Sequence, residues 1–121
     1  MAMSCVITEE TQAHVKKIKF VWVSAADGTA SGTTSGVYSG IVERLVTIPA
    51  AAAAAPDDNY NVVINDEDDT DILMGAGAAR DEAVTEQVLA SSLGCVANDK
   101  LTLGISAAGN AKGGTVIVYI K

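Results

Sequence analysis

The densest group of residues able to do chemistry is Asn65-Asp66-Glu67-Asp68-Asp69-Thr70-Asp71. Hard oxygen ligands at Asp66, Asp68 and Asp71 make a candidate Ca²⁺ site, because Ca²⁺ is held by carboxylates that can close around it. The run lacks the central Gly and the later bidentate Glu that let a twelve-residue loop wrap the ion. It also occupies the place of a hairpin tip, where Asp and Asn favour turns and stay hydrated. Solvated carboxylates do not divide acid and base roles, since nothing drives their pKa values apart. His14 is the single histidine, and Ser4 and Cys5 are near it only in sequence, which assembles no nucleophile and base. The GAGAAR run at residues 75–80 has neither nucleotide-loop spacing nor a Lys. No catalytic residue and no cofactor are expected.

The thiols are Cys5 and Cys95. They form no CxxC pair, so zinc and thioredoxin-like chemistry are not indicated. Two buried thiols is one reading. The other is an inter-subunit disulfide, available if Cys5 lies in a segment that reaches a neighbour. Trp22 is the one residue suited to stack on a sugar, although its place in an alternating strand points to the core. Exposure of Trp22 or Tyr38 would favour a carbohydrate-binding module, and their burial would remove its basis.

These groups must be positioned by strands. Residues 16–24 place Ile18, Phe20 and Trp22 on one face. Residues 37–48 are a long strand, with Gly40 at a bulge or close approach and with Val42, Arg44, Val46 and Ile48 sharing a face. Residues 60–75 read as a hairpin with the acidic tip, and residues 82–90 fit either a short helix or a strand, with Val84, Thr85 and Val88 favouring the strand. Two alternating runs end the chain, Leu101, Leu103 and Ile105 and then Val116, Val118 and Ile120, and read as a closing hairpin. Residues 97–100 read as a turn, residues 25–36 as an exposed loop, and the six Ala between Pro49 and Pro56 as a crossover with room for one helical turn. Residues 1–14 are polar and aperiodic and read as a flexible arm. The sum is a single all-β domain over residues 15–121, a β-sandwich or small barrel of about seven short strands preceded by the arm.

Composition narrows the function classes. The chain has 121 residues, eight basic against fifteen acidic, and a net charge of −7. Phosphate contacts need clustered Lys and Arg; Lys16, Lys17 and Lys19 are the one cluster and fit a solvated strand face, so no nucleic acid is expected. No stretch is apolar enough to span a bilayer as a helix, and the N-terminus lacks a secretory pattern. A protein made in a cytoplasm, with no membrane partner, is expected.

Four segments, KKIKFVWVS, VYSGIVERLVTIP, YNVVINDEDDTDILMGAGA and KLTLGISAAGNAKGGTVIVYIK, in that order resemble small structural proteins from the head region of tailed bacteriophages, of the capsid decoration or cement type. The resemblance runs from Lys16 onward, with Asp69 where a tip Gly is expected. It implies a non-enzymatic virion protein, made in the host cytoplasm, that bridges major capsid subunits and stands on the capsid surface as a homotrimer. It further implies capsid contact through the arm, with Met1, Ser4, Val6, Thr8 and His14 as the candidate residues. A tail, neck or fibre position in the virion is the alternative within the same class.

Overall fold

Along the strands that line the core the inward residues are mainly apolar and two apart, and this alternation sorts the chain into two layers. A computed structural model describes residues 2–121. Its strands are β1 (Ser4–Gln12), β2 (Val15–Val23), β3 (Ala30–Thr33), β4 (Tyr38–Pro49), β5 (Asn61–Asn65), β6 (Glu86–Leu89), β7 (Cys95–Asp99), β8 (Thr102–Ser106) and β9 (Gly113–Ile120). The larger sheet is antiparallel in the order β1-β2-β9-β4-β6, with β7 also paired to β4; the smaller has the order β3-β8-β5. The large sheet curls over the small one. The protein is all-β, as its patterning requires.

The core forms where the inner faces meet. Ile18, Phe20 and Trp22 of β2, Leu45 of β4 and Val116, Val118 and Ile120 of β9 face Val62 and Ile64 of β5 and Leu103 and Ile105 of β8; all are buried. With few aromatics, the interior is filled by β-branched and Leu side chains, each contributing about 1.5–3 kcal/mol when fully buried. Gly40 is confined by the end of the chain: its φ is +142°, and a Cβ there would overlap the carbonyl oxygen of Lys121. The register of β4 shifts on either side of this region, between Tyr38 and Gly40 against β7 and between Val42 and Arg44 against β9.

Several elements differ from the sequence expectation. Residues 4–12, expected as an arm, form β1 and pair continuously with β2 from Ser4↔Val23 to Gln12↔Val15. Cys5 and Ile7 give the reason, because they bury partly against the core and repay the ordering of the segment. The two terminal runs do not form a hairpin: β8 pairs with β3 and β5, while β9 lies between β2 and β4. Their apolar faces look at each other across the core, so residues 107–112 bridge the layers. Residues 97–99, expected in a turn, extend β7, and the loop at residues 25–36 contains β3. The expected hairpin at residues 60–75 keeps β5 but has no returning strand; residues 71–80 run as turns along its edge. The bulge in β4 turns Val42 inward, pairing it with Ile120, and leaves Arg44, Val46 and Ile48 on the outer face. These additions give nine strands rather than seven among the described residues. The Ala run, expected as a crossover loop, contains a single 3-10 turn at Ala52–Ala54.

Candidate interaction surface

At the acidic tip, Asp66 and Asp68 come together with Asp99 of β7, each offering a carboxylate oxygen within 4.8 Å of the others. Asp71 stands apart from this group. Its Oδ1 accepts from the Ile64 and Leu73 amides at 3.1 and 3.0 Å and its Oδ2 from the Gly75 amide at 3.0 Å, so its lone pairs hold backbone. Asp66 is partly committed in the same way, with Oδ1 accepting from the Asp68 and Thr70 amides at 2.9 and 3.1 Å. The tip is thereby a self-capped turn, stitched to the connection between β7 and β8 by the Lys100 amide donating to Glu67 Oε2 at 2.8 Å.

The N-terminal residues take definite places on β1. Ser4, Val6 and Thr8 are exposed on its outer side, and His14 is exposed in the turn to β2; Met1 lies outside the described residues. The turn is tight, with Ala13 at φ +53°. Cys5 and His14 stand at opposite ends of the strand, roughly 25 Å apart at a strand's rise per residue, so neither Ser4 nor Cys5 has a histidine base. Cys5 faces inward, where a Cβ on Gly32 of β3 would sit 2.7 Å from its Sγ, and burial pushes its thiol pKa up. Cys95 is exposed on β7; both thiols are free.

One functional side chain that sequence reasoning missed is Glu9. Its Oε2 accepts from the Ser35 amide and its Oε1 from the Gly36 amide, both at 3.0 Å, while the Tyr38 hydroxyl donates to Oε1. Partial burial pushes the carboxyl up, but the Tyr38, Ser35 and Gly36 donors outweigh it and hold Glu9 below the usual carboxylate range. Burial, then the Glu9 hydrogen bond and charge, push the Tyr38 phenol well above its ordinary value. This latch ties β1 to the β3–β4 loop. The available signal was the run Cys5-Val6-Ile7-Thr8, which has the β-branched content of a strand.

The outer face of the large sheet is set by register. One row across it reads Glu10, Lys17, Tyr119, Arg44, Leu89, and the next Thr8, Lys19, Ile117, Val46, Gln87. The Arg44 guanidinium lies 4.5 Å over the Tyr119 ring and donates to Gln87 Oε1 at 3.2 Å. At the margins Val6 is 65% and Leu89 70% exposed, with Val21 beside Val6 also exposed. Three of the chain's eight basic residues, Lys17, Lys19 and Arg44, share this face with one acidic residue, Glu10, so it is net basic, with apolar margins, on an acidic protein.

The two aromatics relevant to sugar stacking are not available. Trp22 is 1% and Tyr38 9% exposed, and Trp22 packs at 5.6 Å, centroid to centroid, against the buried Tyr60. A shallow cleft of about 360 Å³ opens beside Ile48, Pro49, Ala50, Ala54 and Lys112. Its walls are mainly apolar or backbone, with Lys112 and Thr115 the polar aliphatic side chains, and the Lys112 Nζ donates to the Ala53 carbonyl at 3.0 Å. No family model, no curated protein and no solved structure matches this chain.

Proposed function

We propose that the chain is a non-enzymatic structural protein of a tailed-phage virion that decorates the capsid and cements it by bridging major capsid subunits. The observation that carries this reading is the outer face of the large sheet, where Val6, Val21 and Leu89 are exposed beside Lys17, Lys19 and Arg44 on a chain of net charge −7. A rigid sheet face with apolar margins is suited to lie across a joint between two subunits. The resemblance of four segments in order to head decoration proteins supports the same assignment.

The physical role needs no reacting group. Each copy lowers the free energy of the closed shell by the apolar area it takes out of water, about 25 cal/mol per Å². Opening one joint must then break the contacts of every copy that spans it. The basic side chains favour an acidic strip on the capsid and speed encounter.

Co-sedimentation with capsids assembled without this protein tests the proposal. The expected result is saturable binding at a fixed ratio to the major capsid protein, weakened at least tenfold by Val21→Glu combined with Leu89→Glu. Absence of binding by the folded wild-type protein overturns the capsid assignment, and binding to purified tails instead places the protein at the tail, neck or fibre.

A further inference from the structure

Every sheet edge but one is blunted. Along β5 the backbone groups are taken up by residues 72–80: the Ile72 amide donates to Ile64 O, the Val62 amide to Gly77 O and the Arg80 amide to Tyr60 O, each at 2.8 Å. Strands β3 and β6 are four residues each, and β7 has five with an irregular register on β4. Short or interrupted edges resist pairing with another chain. By contrast β1 offers nine residues in unbroken register, with no Pro, Lys or Arg among them. In an antiparallel ladder every second residue turns its N–H and C=O away from its partner. Among the described residues, no backbone hydrogen bond from beyond the β1–β2 ladder reaches these groups.

From this edge we infer that β1 pairs with β1 of a second copy, antiparallel about a two-fold axis, joining the two large sheets into one. The charges of the strand select both occupant and register. Residues 2–8 include no Asp, Glu, Lys, Arg or His, while Glu9 and Glu10 are adjacent at the far end. A register centred on those two sets carboxylates against carboxylates, which is destabilising. Centring the axis on Val6 instead sets Val6 against Val6 of the second copy, Ser4 against Thr8, and each Glu9 and Glu10 against the uncharged Met3 and Ala2. Val6 is exposed on the outer face and is covered there by its own counterpart, with Val21 on the adjoining strand extending the apolar stripe. An isologous contact of this kind closes at two copies and does not propagate into fibres. Glu9 is fixed inward by the Ser35 and Gly36 amides, so its carboxylate is kept off the new interface. The inference rests on the edge and not on the capsid proposal, although it takes Val6 out of the margin offered there to a capsid and leaves Leu89 and the basic row to it.

The test is the mass in solution of the full chain, measured by light scattering and native mass spectrometry. The wild type is expected at twice the chain mass, and Val6→Lys and Val6→Glu are each expected at the single-chain mass, with the far-ultraviolet spectrum of the wild type. Mixing the two variants is expected to restore a two-chain species containing one of each. A single-chain or three-chain wild type, or an unchanged mass for Val6→Lys, overturns the inference. Should the variants fold poorly, amide exchange on the wild type decides: slow exchange of the outward-turned amides of β1 supports the pairing, and exchange at solvent rates refutes it.

Discussion

Asp71 and Glu9 do similar work at two different places on the sandwich. Asp71 gathers the amides of Ile64, Leu73 and Gly75 and seats residues 71–80 along β5; Glu9 gathers the amides of Ser35 and Gly36 and the hydroxyl of Tyr38 and seats β1 over β3. The partners of Asp71 lie two to seven residues away, those of Glu9 twenty-six to twenty-nine. Closing the longer loop costs more entropy, so Glu9 forms its bonds after the sheets have met, while Asp71 can cap its turn locally. The lesson is that one carboxylate can organise a segment by either route, and that the local route leaves its edge covered while the distant one leaves an edge free.

The sharpest way to break the covered side is Gly77→Ala. A Cβ at Gly77 would overlap the carbonyl oxygen of Val62, whose residue also donates its amide to Gly77 O. Backbone cannot move aside as a flexible side chain can, so a loss of about 3 kcal/mol is expected, at the upper end for overpacking, read as a lower urea midpoint with an unchanged slope.

On the open side, Glu9→Gln removes the charge but keeps one acceptor. The expected loss at neutral pH is about 1 to 1.5 kcal/mol, below the full value for several bonds to a charged group because water reaches this carboxylate. Glu9 is depressed in the folded state, so its contribution is complete above the ordinary Glu range and fades as pH falls through the lower folded value. Wild-type stability is therefore expected to drop on acidification in a window where the variant no longer responds through this site. Amide exchange should quicken across residues 4–12 before it does so elsewhere.

The smallest effect belongs to Asp71→Asn. The amide oxygen can still accept from Ile64 and Leu73, but its NH₂ group meets the Gly75 amide donor to donor. About 0.5 to 1 kcal/mol is expected, with exchange quickened at residues 72–80 and unchanged in β1. Equal effects of the two substitutions on β1 would erase the distinction between the local and the distant latch.

How far the fold was legible follows the same division. Strong alternation placed β2, β4, β8 and β9 and the inward row Ile18, Phe20, Trp22, and the Gly40 irregularity was visible as a lone glycine in a strand. Alternation gives faces but not partners, which is why β8 and β9 read as a hairpin although they lie in opposite layers. Val6-Ile7 sets two apolar residues side by side on opposite faces, which masks the period of β1 among its polar neighbours. The candidate site was legible in composition alone. The acidic run drew attention to Asp71 as a ligand, whereas its oxygens cap amides, and Asp99 enters the group from a strand thirty-three residues beyond Asp66. Glu9 depends on a contact between the layers and the outer face on register across five strands, which sequence period cannot supply.

The position of β9 between β2 and β4 has a consequence for the timing of folding. Strands made early, β2 above all, wait for a central partner encoded at residues 113–120. While the ribosome works through the preceding residues, the row Ile18, Phe20, Trp22 has no β9 beside it, and the large sheet cannot close. Synthesis adds about 5–20 residues per second, so the nascent chain spends seconds with this row uncovered, and topologies dominated by such distant pairings fold slowly even once complete. Folding of this sandwich thus waits on the emergence of β9, and a holdase that recognises apolar strands would meet the chain first at β2.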